Sequence, residues 1–98
     1  MKLISFNVNS LRSRLHQLQA LIDKHQPDII GLQETKVQDA DFPLDVIQSL
    51  GYQAAFTGQK THYGVALLSR IAPQEVLLGL PDDGSEAQKR FVSARFPL

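Results

Sequence analysis

The sequence contains no cysteine. Neither a disulfide framework nor a thiolate metal site is therefore available, and any metal ion must be bound by oxygen or imidazole ligands. The chain also lacks an apolar run of signal-peptide length, and no segment approaches the roughly 20 apolar residues of a membrane span. These absences predict a cytoplasmic protein.

The chain has no net charge and no low-complexity segment. Ten basic residues balance ten acidic ones, so the overall charge does not indicate a polyanionic partner. Of the 98 residues 43% are hydrophobic and 20% are charged, which is typical of one globular domain. The sequence has no Walker loop, no Gly-x-Ser-x-Gly elbow and no Gly-x-Gly-x-x-Gly motif. Function must therefore be inferred from the placement of individual side chains.

The first half of the sequence has the pattern of two strands, each followed by a helix. Residues 2–7 alternate as a strand, and residues 28–35 form a second, mostly apolar strand that carries Glu34 at its C-terminal end. The helix between them is expected to be capped by Asn9 or Ser10 and to end before Pro27. A second, short helix follows the second strand. The apolar positions at helical spacing are Leu11, Leu15, Leu18 and Ile22 in the first helix and Leu44, Ile47 and Leu50 in the second.

Four short strand-like runs follow, with no helix between them. They cover residues 52–57, 64–69, 75–80 and 90–96. Strands joined by a helix are expected to be parallel, and strands joined by short loops antiparallel. The prediction is an α/β fold with a mixed sheet of about six strands and both helices on one face. The other face has no cover within the chain, so we expect residues 1–98 to be a fragment or an obligate half of a larger layered fold, or to self-associate.

Polar side chains follow the first two strands at the point where each strand ends. Asn7 ends the first strand, Asn9 lies in the turn after it, and Glu34 ends the second strand. Because the carboxyl ends of parallel neighbours meet at one edge of a sheet, we expect these side chains to lie close together. Amide and carboxylate oxygens suit Mg²⁺ or Mn²⁺, which takes one or two protein carboxylates and adds water and substrate phosphate. The alternatives are a solvated Glu34 and ordinary turn capping by the two asparagines.

Basic and aromatic residues near this edge are candidate contacts to an anionic partner. Arg12 and Arg14 lie in the first turns of the predicted helix, where positive charge opposes the helix dipole unless an anion binds. A loop after the third predicted strand combines an amine, a hydroxyl and aromatic rings that can hold a phosphodiester backbone. The alternatives are solvated arginines and a simple hairpin turn. The loop covers residues 59–64 and contains Lys60, Thr61, His62 and Tyr63, and the last strand begins with a further basic pair, Lys89 and Arg90.

Three segments resemble motifs of the exonuclease III family of DNA repair nucleases, in the family's order and spacing. They are residues 5–12 (SFNVNSLR), 26–36 (QPDIIGLQETK) and 62–69 (HYGVALLS). The resemblance implies a metal-dependent phosphodiesterase that cleaves duplex DNA at abasic sites and removes nucleotides from 3′ ends. It also implies the four-layered α/β sandwich of the endonuclease, exonuclease and phosphatase superfamily, of which this chain would form the N-terminal half.

The resemblance further implies roles for individual residues. Glu34 matches the catalytic carboxylate that binds the metal, and Asn7 matches its neighbour in the metal shell. Asn9 matches a position that is Asp in some relatives and that supports metal or water. The positions matching contacts to the DNA backbone are Arg12, Lys36, Thr61 and His62. The family's remaining catalytic residues match nothing before position 98, so we expect these residues alone to be inactive.

Two other hypotheses stay open from the sequence. One is a phosphodiesterase or phosphatase of inositol phosphates or lipids in the same superfamily, although the Gln-Glu-Thr-Lys and His-Tyr-Gly-Val runs favour the nuclease branch. The other is a non-catalytic α/β module that binds a partner through an open sheet face.

Overall fold

The structure, a computed structural model, describes residues 2–57, 64–78 and 92–95. Within these ranges the chain forms two α-helices and six strands, with a short 3₁₀ turn before the second helix. In chain order they are β1 (Leu3–Asn7), α1 (Leu15–His25), β2 (Ile29–Gln33), α2 (Leu44–Ser49), β3 (Gln53–Thr57), β4 (Val65–Ser69), β5 (Glu75–Leu78) and β6 (Val92–Arg95). Neither helix is long and apolar enough to cross a membrane.

The first four strands form a mixed sheet in the order β1-β2-β4-β3. β1 and β2 are parallel, whereas β4 pairs antiparallel with both β2 and β3. The predicted α/β class, the parallel first pair and the antiparallel later strands are thus confirmed. The register places Asn7 opposite Gln33, so β1 and β2 end side by side.

β5 and β6 form a separate antiparallel pair. The predicted single sheet of six strands is therefore corrected to one sheet of four strands and one of two. The pair packs on β3 and β4, where Pro73 and Val76 border a cavity of about 130 Å³ against Ala55 and Leu67. Apolar side chains on this face are buried better by a second layer than by a longer single sheet. The face predicted to be open is covered at β3 and β4, while Leu3 on β1 is 64% exposed.

Both helices pack on the opposite face of the four-stranded sheet. Alternate residues of β2 and β4 point to this side, and they share one buried cluster with residues of the two helices. The fully buried members include Leu18 of α1, Ile47 of α2, Ile30 and Leu32 of β2 and Leu68 of β4. Each such side chain contributes about 1.5–3 kcal/mol by leaving water. The prediction that both helices lie on one face is confirmed.

The first helix begins at Leu15, rather than near Leu11 as the periodicity predicted. Leu11 is fully buried but lies in a turn, and its backbone N–H donates to the carbonyl of Thr35 at 2.9 Å. The N–H of Ser10 donates in the same way to Glu34 at 2.9 Å. Because these bonds tie the chain to the loop after β2, the helix starts only after the turn. The predicted capping of α1 by Asn9 or Ser10 is therefore wrong.

The end of α1 was predicted correctly. The helix ends at His25, and Gln26 adopts a left-handed conformation with φ of 46° while its N–H donates to the carbonyl of Ile22. Pro27 then leads directly into β2. This short connection lets β2 pair in parallel with β1, and it fixes the position of the C-terminal end of β2.

Candidate metal and nucleic-acid site

Side chains at the ends of β1 and β2 meet at the C-terminal edge of the sheet, where β2 ends at Gln33 and Glu34 follows it. Asn7 is the last residue of β1 and points away from the helices, because Phe6 before it packs against the core. Its side-chain amide nitrogen donates a hydrogen bond to the Glu34 carboxylate, and its carbonyl oxygen accepts from the Asn9 backbone N–H at 3.2 Å. The predicted proximity of the three side chains is present. Their roles stay predictions.

Lys36 joins the same group of side chains. Its ammonium Nζ donates to Asn9 Oδ1 at 2.7 Å and lies 3.6 Å from Glu34 Oε1. The exposed fractions of the Lys36 and Glu34 side chains are 28% and 42%, so the pair is partly solvated. Sequence reasoning assigned Lys36 to the DNA backbone and missed this pairing with two predicted metal ligands. The two-residue spacing between Glu34 and Lys36 was the available signal.

The backbone at this edge is held in an uncommon conformation. Thr35 is 1% exposed and points into the core, and its N–H donates to the carbonyl of Gly64 at 3.1 Å. Glu34 and Lys36, on either side of it, point outward together. A left-handed conformation costs a non-glycine residue about 1–3 kcal/mol, so strain is concentrated where the candidate side chains lie. The site residues with positive φ are Asn9 (47°), Ser10 (82°), Glu34 (55°) and Lys36 (54°).

Arg12 lies before α1 and contacts the segment that leads to α2. Its Nη1 donates to the backbone carbonyl of Asp41 at 2.8 Å. Because α1 starts at Leu15, the predicted position of Arg12 in the first turn of the helix is wrong, and Arg14 is the residue at the N-cap. The Arg12 side chain is exposed, and a guanidinium has five N–H donors. Those not used by Asp41 can bind an anion.

The donor set fits Mg²⁺ or Mn²⁺ rather than a metal held entirely by protein ligands. Among the described residues, no three His, Cys, Asp or Glu side chains come together. A hard cation that takes one or two carboxylates and completes its shell with water and phosphate needs no such cluster. Glu34 fits directly, whereas the Asn7 amide must rotate by half a turn to present its oxygen beside Glu34. The Asn9 oxygen is engaged by Lys36.

Four of the predicted DNA contacts lie outside the described residues. They are Lys60, Thr61, His62 and Arg90. Their assignment stays a prediction from the sequence, as does the cytoplasmic location.

The fold and the site together define a layered α/β protein with an oxygen-rich polar site at the carboxyl ends of two parallel strands. Its sequence matches the model of the Endonuclease/Exonuclease/phosphatase family over residues 4–97. The chain belongs to this family.

Within this family, the chain is similar to several nucleases and a 3′ phosphatase. The chain is 54% identical over 94 residues to exodeoxyribonuclease III of Haemophilus influenzae. This alignment covers 96% of this chain and 35% of the Haemophilus protein. It resembles the structure of an AP endonuclease from Archaeoglobus fulgidus with a TM-score of 0.89 and 38% identity, over 98% of this chain and 37% of the other. It also resembles the structure of the 3′ phosphatase NExo from Neisseria bound to product DNA hairpin, with a TM-score of 0.88 and 43% identity. This match covers 96% of this chain and 37% of the other.

These similarities confirm the resemblance to the exonuclease III family. The chain spans little more than a third of the length of each of these relatives. The described residues form one helical layer, a four-stranded sheet and a separate two-stranded sheet.

Proposed function

We propose that this chain is the N-terminal part of a Mg²⁺-dependent DNA repair phosphodiesterase of the exodeoxyribonuclease III type. Its substrates are duplex DNA at 3′ ends and at abasic sites, Mn²⁺ can replace Mg²⁺, and the reaction takes place in the cytoplasm. One observation carries the proposal. Asn7, Asn9 and Glu34 converge at the carboxyl ends of β1 and β2 in a chain that is 54% identical to an exodeoxyribonuclease III.

Glu34, Asn7 and Asn9 are the residues that would hold the cation. When bound, the cation supplies positive charge that offsets the charge of the scissile phosphate. Glu34 contributes a carboxylate on a backbone fixed at its carbonyl by the N–H of Ser10. The hydrogen bond from Asn7 orients that carboxylate across the strand ends. A ligand held in this way keeps its position without support from a mobile loop.

Arg12 is the proposed contact to the DNA backbone among the described residues that surround this edge. It is exposed, and its guanidinium is positioned by one bond to the Asp41 carbonyl while other N–H donors can bind phosphate. The further proposed DNA contacts rest on the sequence alone and lie outside the described residues; they are Lys60, Thr61, His62 and Arg90.

Hydrolysis also needs a group that prepares the attacking water. Glu34 is committed to the cation in this proposal and is contacted by Asn7 and Lys36, so it is not assigned to that step. We therefore propose that residues 1–98 supply the metal-binding part of the site and do not turn over DNA alone. The remaining two thirds of the length of the relatives would supply the base.

Nuclease assays on the complete protein test the proposal. The substrates are a duplex with one abasic site and a duplex with a recessed 3′ end, with a panel of inositol phosphates in parallel. We expect cleavage of both duplexes that EDTA abolishes and Mg²⁺ restores. Glu34→Gln should lower kcat/KM about 100-fold or more, because loss of a metal ligand removes several kcal/mol of charge stabilisation.

The matched control is Asp23→Asn, which neutralises an exposed carboxylate on α1. It should leave cleavage unchanged. Cleavage that survives both EDTA and Glu34→Gln would contradict the proposed site, and turnover of inositol phosphates instead of DNA would favour the other branch of the superfamily. The 98-residue chain, assayed under the same conditions, should show no turnover, and robust cleavage by it would refute the assignment of the base to another part of the protein.

A further inference from the structure

A positively charged side chain lies among the predicted metal ligands. Lys36 Nζ makes a hydrogen bond of 2.7 Å to Asn9 Oδ1 and an ion pair of 3.6 Å with Glu34 Oε1. Both oxygens belong to residues that would bind a divalent cation. An ammonium group and a divalent cation at the same oxygens compete for the lone pairs and repel each other.

The backbone places Lys36 there, so the contact differs from an ordinary surface ion pair. Thr35 is anchored in the core, and the left-handed conformations of Glu34 and Lys36 turn both side chains to the same side of the loop. Asn9 is in turn held from the other loop, where its N–H donates to Asn7 Oδ1. The backbones of the two loops are joined by the bond from the Ser10 N–H to the Glu34 carbonyl.

We propose that Lys36 is an internal competitor of the divalent cation. Its ammonium holds the oxygens of Glu34 and Asn9 in place, and it leaves them when the cation binds. This inference rests on the proposed function, since it takes Glu34 and Asn9 as ligands. It makes Lys36 a positioning residue that lowers the affinity of the site for the cation, in contrast to the direct DNA contact expected from the sequence.

The sign of the effect follows from charge. After displacement, the ammonium stays tethered two residues from Glu34 and repels the bound cation through a partly solvated space. Removing it deletes both the competing contact and the repulsion. For one partly exposed unit charge beside a divalent cation, the expected gain in cation affinity is about threefold to tenfold.

Binding of Mn²⁺ to the complete protein, followed by the electron paramagnetic resonance signal of the free ion, tests the proposal without reference to catalysis. Lys36→Met keeps an unbranched side chain as far as Cε and removes the ammonium, and it should tighten Mn²⁺ binding about threefold to tenfold. Lys36→Arg keeps the charge and should stay within about twofold of the wild type. Lys24→Met removes an exposed ammonium at the end of α1 and should leave the affinity unchanged.

Unchanged or weaker Mn²⁺ binding in Lys36→Met would overturn the proposal, and so would equal tightening by Lys24→Met. Lys36→Gln provides a second neutral variant if Lys36→Met does not fold, as judged by circular dichroism. Glu34→Gln separates the two levels of inference. If this variant loses Mn²⁺ while Lys36→Met shows no tightening, the competition alone has failed. If it binds Mn²⁺ like the wild type, the proposed metal site has failed and the competition with it.

A crystal of the complete protein with Mn²⁺ gives an independent measurement. Anomalous scattering locates the ion, and Lys36 Nζ should no longer lie within hydrogen-bond distance of Asn9 Oδ1. An ion bound to Glu34 while this hydrogen bond persists would overturn the proposal.

Discussion

Asn7 donates a hydrogen bond from its side-chain amide to the carboxylate of Glu34, across the ends of two parallel strands. On its other side, the carboxylate lies 3.6 Å from the ammonium of Lys36. Each Glu34 oxygen thus has a partner of its own, one a neutral donor and one a cation. This asymmetry means that the same added charge has opposite effects at two positions of the site.

Replacement of Asn7 by Asp should destabilise the protein when divalent cations are removed. The change replaces a hydrogen-bond donor to Glu34 by a second carboxylate, and like charges at this distance repel. We expect the free energy of unfolding in EDTA to fall by about 1–2 kcal/mol, through the lost donor and the new repulsion. Saturating Mg²⁺ should reduce this difference from the wild type, because a cation bound between two carboxylates offsets their repulsion in the folded state. Urea unfolding with EDTA and with Mg²⁺ measures both quantities.

Asn9→Asp is the matched control for this prediction. It introduces the same carboxylate two residues away, where Lys36 Nζ already donates to the Asn9 side-chain oxygen at 2.7 Å. The new ion pair should leave stability in EDTA equal to or slightly above that of the wild type. Equal destabilisation by Asn7→Asp and Asn9→Asp would contradict the arrangement of charges described for this site.

Ser10→Gly should stabilise the fold. Ser10 has φ of 82°, a conformation that glycine adopts at little cost and that strains other residues by about 1–3 kcal/mol. The greater flexibility of glycine in the unfolded chain offsets part of this, so we expect a net gain of about 0.5–1 kcal/mol in the free energy of unfolding. The substitution also removes an exposed hydrogen bond between the hydroxyls of Ser10 and Ser13 at 3.1 Å.

Ser13→Gly separates these contributions. It removes the same hydroxyl pair at a residue outside the group with positive φ, so it should lower the stability or leave it unchanged. Urea unfolding of both variants and the wild type gives the comparison. A gain in Ser13→Gly as large as that in Ser10→Gly would show that backbone strain at residue 10 is not the cause.

The proximity of Asn7 and Glu34 was predictable because two simple rules combine. The apolar alternation locates the ends of β1 and β2, and a helix between two strands makes them parallel neighbours. The start of α1 was not predictable in this way. Leu11 fits the helical period because it is buried, but periodicity does not reveal that its N–H is bonded to the Thr35 carbonyl.

The sheet formed by β5 and β6 and the contacts of Lys36 were also not predictable from the sequence pattern. Alternation in β5 and β6 identifies strands but does not specify which sheet they join, and here the choice depends on covering β3 and β4. The contact of Lys36 with Glu34 and Asn9 requires a left-handed backbone at Glu34 and Lys36. Only Gly or Asn at these positions would have indicated that conformation from the sequence. Such conformations are imposed by the surrounding hydrogen bonds.

Tyr52→Phe should weaken the fold without affecting the site. The Tyr52 side chain is 2% exposed, and its hydroxyl donates to the Pro27 carbonyl at 2.5 Å. The phenylalanine would leave this buried carbonyl without its donor, at a cost of about 1–3 kcal/mol. Because Tyr52 precedes β3 at the end of the sheet opposite Glu34, Mn²⁺ affinity at temperatures where the protein is folded should not change. Thermal or urea unfolding and a Mn²⁺ titration test the two halves of this prediction, and a changed affinity would argue for coupling along the sheet.

Arg12→Ala should weaken DNA binding in a way that depends on salt. If one of its free N–H donors contacts a phosphate, its loss should reduce the slope of log affinity against log salt concentration by about 0.9 in magnitude. Arg70→Ala is the matched control, since Arg70 is also exposed but lies at the opposite end of the sheet, with its guanidinium bonded to Gln26 and over the Tyr52 ring. Binding of the complete protein to duplex DNA at several salt concentrations should show the smaller slope for Arg12→Ala alone. Equal slopes for the two variants would show that Arg12 does not contact a DNA phosphate. Loss of its bond to the Asp41 carbonyl does not explain a changed slope, because that bond neutralises no phosphate.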